Sequence, residues 1–374
     1  MMKVNRVVIS GGGTGGHIFP ALAIADEIKR RNPEADILFI GALGKMEMEK
    51  VPAAGYNIVG LPIVGLQRKL TLSNFALPFK LVSSMYQAYR ILKRFKPDIV
   101  VGVGGYASGP ALRSAISAGF PALIQEQNSF AGKANKFVAD KVDAVCTAYD
   151  GMEKFFPKSR IVQTGNPVRS EMVDIAGKRE DAMTFFQLDP NKKTILVVGG
   201  SLGAKTLNES VLGGMGIIHE HGVQVLWQCG KVSHRLMEEA LKGIDHTDVH
   251  LHEFITRMDL AYAAADIVVS RAGAIAVSEL CIIQKPAILV PSPNVAEDHQ
   301  TKNAMALVEK YAAVLVNDAQ ARAALMQTAV NLLQNPTEME ALSAAMGKLA
   351  QPDATRLIVD ELENILTKKA QQAR

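Results

Sequence analysis

The chain has 374 residues, 48% of them hydrophobic and 21% charged, with a formal net charge of +4. That length suits two cores better than one, and the near balance of charge leaves no footprint for nucleic acid. Three scattered cysteines (Cys146, Cys229, Cys281) form no C-x-x-C pair, so neither a disulfide framework nor a zinc site is expected, and a reducing compartment fits best. No run approaches the roughly 20 apolar residues of a membrane span, and the N-terminus lacks the apolar core of a secretory signal.

From the N-terminus onward, short apolar runs alternate with helix-length amphipathic stretches. The spacing predicts strands at Arg6–Ser10, Asp36–Ile40, Ile99–Val103, Ala122–Gln125 and Ala144–Thr147 in the first half. In the second half it predicts Thr194–Val198, Val223–Gln228, Val249–His252, Ile267–Ser270 and Ala287–Val290. Such alternation predicts an α/β protein with parallel sheets covered on both faces, and ligands beyond the carboxyl ends of the strands. A first domain is expected over residues 1–165. Asn166-Pro167-Val168-Arg169 reads as a hinge, because proline breaks regular structure, and a second domain is expected over 166–352. A last helix within 353–374 is placed back on the first domain by architecture alone.

Glycine-rich turns follow strands in both halves. Gly11-Gly12-Gly13-Thr14-Gly15-Gly16-His17 follows Val7-Val8-Ile9, and Gly199-Gly200-Ser201-Leu202-Gly203-Ala204 follows Ile195–Val198. A strand, a glycine turn and a helix N-terminus bind anions, because free N–H groups point outward and the helix dipole favours negative charge. Two such sites suggest two facing domains with a phosphorylated substrate between them. The first turn satisfies G-x-G-x-x-G, which alone is a weak signal. The second strand ends Phe39-Ile40-Gly41-Ala42 without the carboxylate a dinucleotide site uses for its ribose, and Glu47 and Glu49 fall later, on a helix. Five glycines in six residues exceed the needs of one tight turn and point to close approach by another molecule. His17 closes this turn, where a neutral imidazole can take or give a proton; a structural role is the plainer alternative.

A third turn, Gly102-Val103-Gly104-Gly105-Tyr106-Ala107-Ser108-Gly109, would pair with the first to make a pocket of N–H donors suited to a diphosphate. Gln125-Glu126-Gln127-Asn128 sets amides and a carboxylate at the same sheet edge. In the second half, Ser270-Arg271-Ala272-Gly273-Ala274 opens a helix with small residues, and Glu279 follows on it, where a carboxylate could accept from a ribose diol. Asp298-His299-Gln300 offers polar side chains for sugar hydroxyls. The stretch Leu70–Lys96 interleaves Leu72, Phe75, Phe79, Val82, Tyr86 and Tyr89 with Lys69, Lys80, Arg90, Lys93 and Arg94. It is either a core-facing helix with a basic outer side or an amphipathic segment resting on an anionic membrane. Neither a P-loop motif nor a D-x-D pair occurs, so no metal is assigned and helix dipoles with Arg169 are expected to stabilise a leaving diphosphate.

The ordered set Gly12–His17, Gly104-Gly105-Tyr106, Glu126-Gln127-Asn128, Gly165–Arg169, Gly199–Ser201, Glu253-Phe254-Ile255, Arg271–Ala274 and Gln300 resembles the peptidoglycan N-acetylglucosaminyltransferases of glycosyltransferase family 28. The match runs along nearly the whole chain. The resemblance implies a GT-B fold, two Rossmann-like domains with parallel sheets facing a cleft. It implies inverting transfer of GlcNAc from UDP-GlcNAc to the muramyl 4-hydroxyl of lipid I, with no cofactor, at the cytoplasmic face of the inner membrane. It places Ile255 at the uracil and Glu279 at the ribose. Ser201, Arg169 and the run Ala274, Ile275, Ala276, Val277 and Ser278 would serve the diphosphate, and Gln300 and Asn128 the sugar. Thr14, Gly15 and Gly16 would close on the donor. Gly12, Gly13, Gly104, Gly105 and Tyr106 would serve the lipid I acceptor, with other cell-wall and division proteins as further partners. Many relatives carry threonine where this chain has Ala276, which removes one hydroxyl contact. The acceptor's proton needs a base: His17 leads, since an imidazole near ~6.5 suits proton uptake at neutral pH, and Glu126 is second. A UDP-GlcNAc 2-epimerase of the same plan and a non-catalytic nucleotide-sugar-binding membrane subunit are the alternatives.

Overall fold

A computed structural model describes residues 2–63, 77–200, 202–295 and 298–372. The chain forms two compact units, residues 1–169 with 352–374, and residues 170–351. The break follows Arg169, not Gly165. Asn166 is tied into the first unit, its side-chain amide donating to the Gln127 carbonyl (3.0 Å) and accepting from Gln125 Nε2 (3.2 Å). Arg169 pairs there with Asp26 at 3.5 Å.

The first unit holds a seven-stranded parallel sheet in the order β3-β2-β1-β4-β5-β6-β7. Its strands are β1 (Arg6–Gly11), β2 (Asp36–Ala42), β3 (Asn57–Leu61), β4 (Ile99–Gly104), β5 (Ala122–Glu126), β6 (Ala144–Thr147) and β7 (Ile161–Gln163). Alternate residues of one strand serve opposite cores. Val7 and Ile9 pack with Ile18, Ile24 and Phe39, while Val8 packs with Ile40, Val100, Leu112 and Ile124. With helices on both faces, the central strands are apolar for most of their length, and their buried polar residues (Ser10, Gln125 and Glu126) fall at the carboxyl ends. The last helix, Ala354–Gln372, closes the first of these cores with Ile358, Leu362 and Ile365. Its Asp360 and Glu363 clasp Arg31 at 2.7 and 3.3 Å.

The second unit holds a six-stranded parallel sheet in the order β10-β9-β8-β11-β12-β13. These are β8 (Thr194–Val198), β9 (Gln224–Gln228), β10 (Val249–His252), β11 (Ile267–Ser270), β12 (Ala287–Leu289) and β13 (Val314–Leu315). Ile195, Val197 and Trp227 face one core, and Leu196, Leu226 and Val268 the other. In each sheet the chain order reverses beside the strand that carries a glycine turn (β1 and β8), where open α/β sheets form their ligand crevices. Among the described residues no helix is long and apolar enough to cross a membrane.

Candidate active site

In the first unit, β1 runs directly into the first glycine turn. Gly12 and Gly13 take φ of +149° and +87°, values that side-chain-bearing residues rarely adopt. The helix Gly15–Arg31 then starts from an extended Thr14 with no side-chain cap and no acidic residue in its first turn, so its positive end is not neutralised by its own first turn. The third turn interlocks with the first. Gly12 N–H donates to the Gly104 carbonyl at 3.3 Å. A Cβ on Gly105 would lie 2.2 Å from the Gly12 oxygen, and one on Gly104 would lie 2.9 Å from the His17 ring. The two turns are therefore glycine-rich because they press on one another and on His17, and each limits the other's shape. Tyr106 stands half-exposed over Gly13.

His17 sits with Nδ1 3.0 Å from the Gly12 carbonyl and 3.5 Å from the Thr14 hydroxyl. A carbonyl can only accept, so Nδ1 carries a proton, and in the neutral imidazole the lone pair is then on Nε2. That is the form a general base requires. Glu126 is placed differently. It is buried and accepts from Asn128 N (3.1 Å), Gly132 N (2.9 Å), Asn135 Nδ2 (2.9 Å) and Asn128 Nδ2 (3.3 Å). A carboxylate engaged by four donors is a brace for the loop that carries Asn128, and the structure does not present it as a base. Beneath it, Gln125, Gln127 and Asn166 form a buried amide cluster, with Gln127 also donating to the Val103 carbonyl at 2.9 Å.

In the second unit, the second glycine turn leads to the helix Lys205–Gly213, which again begins at an extended residue, Ala204, without a side-chain cap. Gly203 and Gly230 lie backbone to backbone, a Cβ on either coming within 2.0 Å of the other loop. Ser201 lies outside the described residues. Gln228, at the end of β9, ties this turn to the Ile255 loop: its Nε2 donates to the Gly200 carbonyl (3.1 Å) and its Oε1 accepts from Ile255 N (2.8 Å). Ile255 itself is buried.

The helix Ala274–Ile283 starts from an extended Gly273, also without a side-chain cap, so Ala274, Ile275, Ala276 and Val277 form an N-terminal turn of small and apolar residues. Ser278 turns its hydroxyl back to the Ala274 carbonyl at 3.0 Å. Glu279 accepts from the buried Tyr262 hydroxyl at 2.8 Å, and loss of water around the carboxyl pushes it up to about 7. The same enclosure drives the Tyr262 hydroxyl well above its ordinary value. Gln300 uses its carbonyl to accept from Ser292 N at 2.8 Å, fixing the proline-rich loop before it. Arg271 is a strut: it donates to Asp318 (2.5 Å) and to the Val290 and Pro291 carbonyls (3.0 and 3.3 Å).

The structure thus gathers Gly12, Gly13, Thr14, Gly15, Gly16, His17, Gly104, Gly105, Tyr106, Glu126 and Asn128 at the carboxyl edge of the first sheet. Ile255, Ala274–Glu279 and Gln300 belong to the second unit. Arg169, expected with the second group, belongs to the first. Sequence reasoning missed Gln228, whose only signal is a polar residue ending an apolar strand. It also dismissed Glu47, which turns out to be buried against the first glycine turn, accepting from Gly13 N at 2.7 Å. Among the described residues, no group of three His, Cys, Asp or Glu side chains could hold a metal ion.

Comparison with known proteins gives this geometry a family. Residues 7–147 match the glycosyltransferase family 28 N-terminal domain and residues 194–358 the glycosyltransferase family 28 C-terminal domain. A Parabacteroides distasonis protein described as UDP-N-acetylglucosamine–N-acetylmuramyl-(pentapeptide) pyrophosphoryl-undecaprenol N-acetylglucosamine transferase is 53% identical, over 98% of this chain and all of its own. A Cytophaga hutchinsonii protein of the same description is 53% identical over 97% of this chain and 98% of its own. The crystal structure of Acinetobacter baumannii MurG superposes with a TM-score of 0.75 at 28% identity, covering 96% of this chain and 99% of that one. A UDP-N-acetylglucosamine 2-epimerase structure, at 17% identity and a TM-score of 0.66, shares the fold alone. With its two parallel-sheet units, paired glycine turns and full-length relatives, the chain belongs to glycosyltransferase family 28 and has the GT-B fold.

Proposed function

We propose that this protein transfers GlcNAc from UDP-GlcNAc to the 4-hydroxyl of the muramyl sugar of lipid I, with inversion at the anomeric carbon. The observation that carries this reading is full-length identity above 50% to relatives described as that transferase. The presence of His17 and both uncapped glycine-turn helices supports it. In the second unit Ile255 would lie at the uracil, Glu279 would accept from the ribose diol, and Ser201 with the N-terminal turn Ala274–Ser278 would take the diphosphate. Gln300 and Asn128 would contact the GlcNAc hydroxyls. Thr14, Gly15 and Gly16 would cover the donor, while Gly12 and Gly13, whose N–H groups are already engaged, would shape the lipid I side of the site with Gly104, Gly105 and Tyr106.

In the step itself His17 Nε2 takes the proton of the acceptor hydroxyl. The hydroxyl oxygen bonds to the anomeric carbon from the face opposite UDP, and the bond to the β-phosphate oxygen breaks. Backbone N–H groups at the helix starts, together with Arg169, hold the charge that develops on UDP. The helix Leu77–Phe95 supports work at a lipid surface. Ala88 and Leu92 are buried, while Phe79, Val82 and Tyr86 are 80%, 67% and 62% exposed on the helical spacing of one outward stripe. Basic Lys80, Arg90, Lys93 and Arg94 share the helix, which suits an anionic leaflet such as the cytoplasmic face of the inner membrane. Residues 70–76 of the basic amphipathic stretch lie outside the described residues.

Incubation of radiolabelled UDP-GlcNAc with a short-chain lipid I analogue tests the reading. Labelled disaccharide-lipid is expected. UDP-ManNAc formed without acceptor would instead establish an epimerase, and binding of UDP-GlcNAc with no product of either kind a non-catalytic subunit.

A further inference from the structure

Glu47 opens the helix Glu47–Ala53, yet its carboxylate is turned inward and is 1% exposed. One oxygen accepts from Gly13 N at 2.7 Å and the other from Ala42 N at 2.9 Å. Glycines make room for it. A Cβ on Gly12 would fall 2.2 Å from the Glu47 carboxyl carbon, and one on Gly41 would fall 2.6 Å from its Cγ. Burying a carboxylate is costly unless it does something its surroundings reward, and helix capping is not the answer, since its acceptors are spent on a strand end and a turn.

The Gly13 N–H belongs to the same peptide unit as the Gly12 carbonyl. That carbonyl meets His17 Nδ1 at 3.0 Å. Carboxylate, peptide and imidazole therefore form one line of hydrogen bonds. A negative charge accepting at the N–H end polarises the peptide and strengthens its oxygen as an acceptor. A stronger acceptor at Nδ1–H fixes the tautomer and stabilises the imidazolium formed when Nε2 gains a proton, the task a directly bonded carboxylate performs in hydrolase triads.

We propose that Glu47 is a positioning residue for His17, acting through the Gly12–Gly13 peptide. The acceptor's proton moves to Nε2 and stays on the imidazole; it is not passed to Glu47. This rests on His17 being the base.

The test is a double-mutant cycle in kcat on the whole chain, with Glu47→Gln, His17→Ala and the pair, each checked by melting temperature. His17→Ala is expected to lose at least ~10²-fold. Glu47→Gln is expected to lose roughly 10- to 100-fold, as when an outer partner of a working histidine is removed, with donor KM unchanged. In the His17→Ala background Glu47→Gln is expected to cost nothing further. An equal loss in both backgrounds, or no loss from Glu47→Gln alone, overturns the proposal. Near-wild-type turnover in His17→Ala would instead overturn the base assignment on which it rests. Should Glu47→Gln not fold, Gly41→Ala displaces the carboxylate with its charge intact, and the same pattern is expected. Nitrogen NMR of His17 gives a readout independent of turnover: Nδ1–H is expected in the wild type, and an Nε2–H form there would overturn the proposal.

Discussion

Glu279 carries a stability cost that a single substitution can expose. Burial behind Tyr262 raises its carboxyl from an ordinary 4.5 to about 7. The folded state therefore holds this proton more tightly than the unfolded chain. Stability from this group is unaffected below pH 4.5, falls as pH rises from 4.5 to about 7, and stays reduced above that. A gap of about 2.5 pH units at 1.36 kcal/mol each amounts to a cost of up to about 3 kcal/mol at pH 8. Glu279→Gln keeps the acceptor for the Tyr262 hydroxyl and removes the charge. It should match the wild type near pH 4 and exceed it by up to about 3 kcal/mol at pH 8. The only tryptophan, Trp227, is fully buried in β9 of the same unit, so urea unfolding followed by its fluorescence reports the relevant transition. A Glu279→Gln unit no more stable than the wild type at pH 8 would refute the enclosure argument. Nature's reason for keeping such a residue would be ligand binding, which is where strain and unfavourable burial collect.

Three further outcomes are expected. A ribose diol donating to Glu279 favours the ionised form, so binding of UDP-GlcNAc, whose diphosphate diester does not titrate in this range, should release protons near pH 6.5 and tighten as pH rises through about 7. Calorimetry in buffers of different ionisation heat would detect this, and Glu279→Gln should abolish it while raising donor KM more than it lowers kcat. Gln228→Ala leaves the Ile255 amide unpaired, worth about 1–3 kcal/mol, while the Gly200 carbonyl keeps the Gly203 N–H; donor KM should rise with kcat little changed, and an unaltered KM would remove Gln228 from the site. Phe79→Ser with Tyr86→Ser should weaken co-sedimentation with anionic vesicles and leave transfer to a soluble acceptor analogue intact, whereas undiminished sedimentation would place the membrane contact elsewhere.

Most of the architecture was legible because both sheets are buried on two faces, which writes each central strand as an unbroken apolar run such as Val7-Val8-Ile9. The strands that escaped, β3, β7 and β13, lie at sheet edges. Asn57–Leu61 alternates exposed and enclosed residues, and β7 and β13 are three and two residues long, so periodicity has little to act on. The glycine turns read from the sequence as candidate anion sites, but the reason for their glycines was only half visible. Gly104 and Gly105 are needed as much for contact with His17 and Gly12 as for a ligand, and that contact joins loops about ninety residues apart.

Charged residues were harder to read, since their roles depend on partners remote in sequence. Arg169 reads as a hinge cation but is held by Asp26 within the first unit. Glu126 reads as a possible base, yet Gly132 and Asn135, supplied by the next turn of chain, occupy it. Glu47 was noticed only as an acid in the wrong place for a nucleotide ribose. Its importance comes from the fold, which brings Gly12 and Gly13 onto it.

The central claim is inverting sugar transfer by this chain, and the stereochemistry of the product tests it most directly. Proton NMR of the disaccharide formed from α-linked UDP-GlcNAc and a lipid I analogue would show the large H1–H2 coupling of a β-linked GlcNAc if the account is right. An α-linked product, or none at all with donor bound, would contradict it.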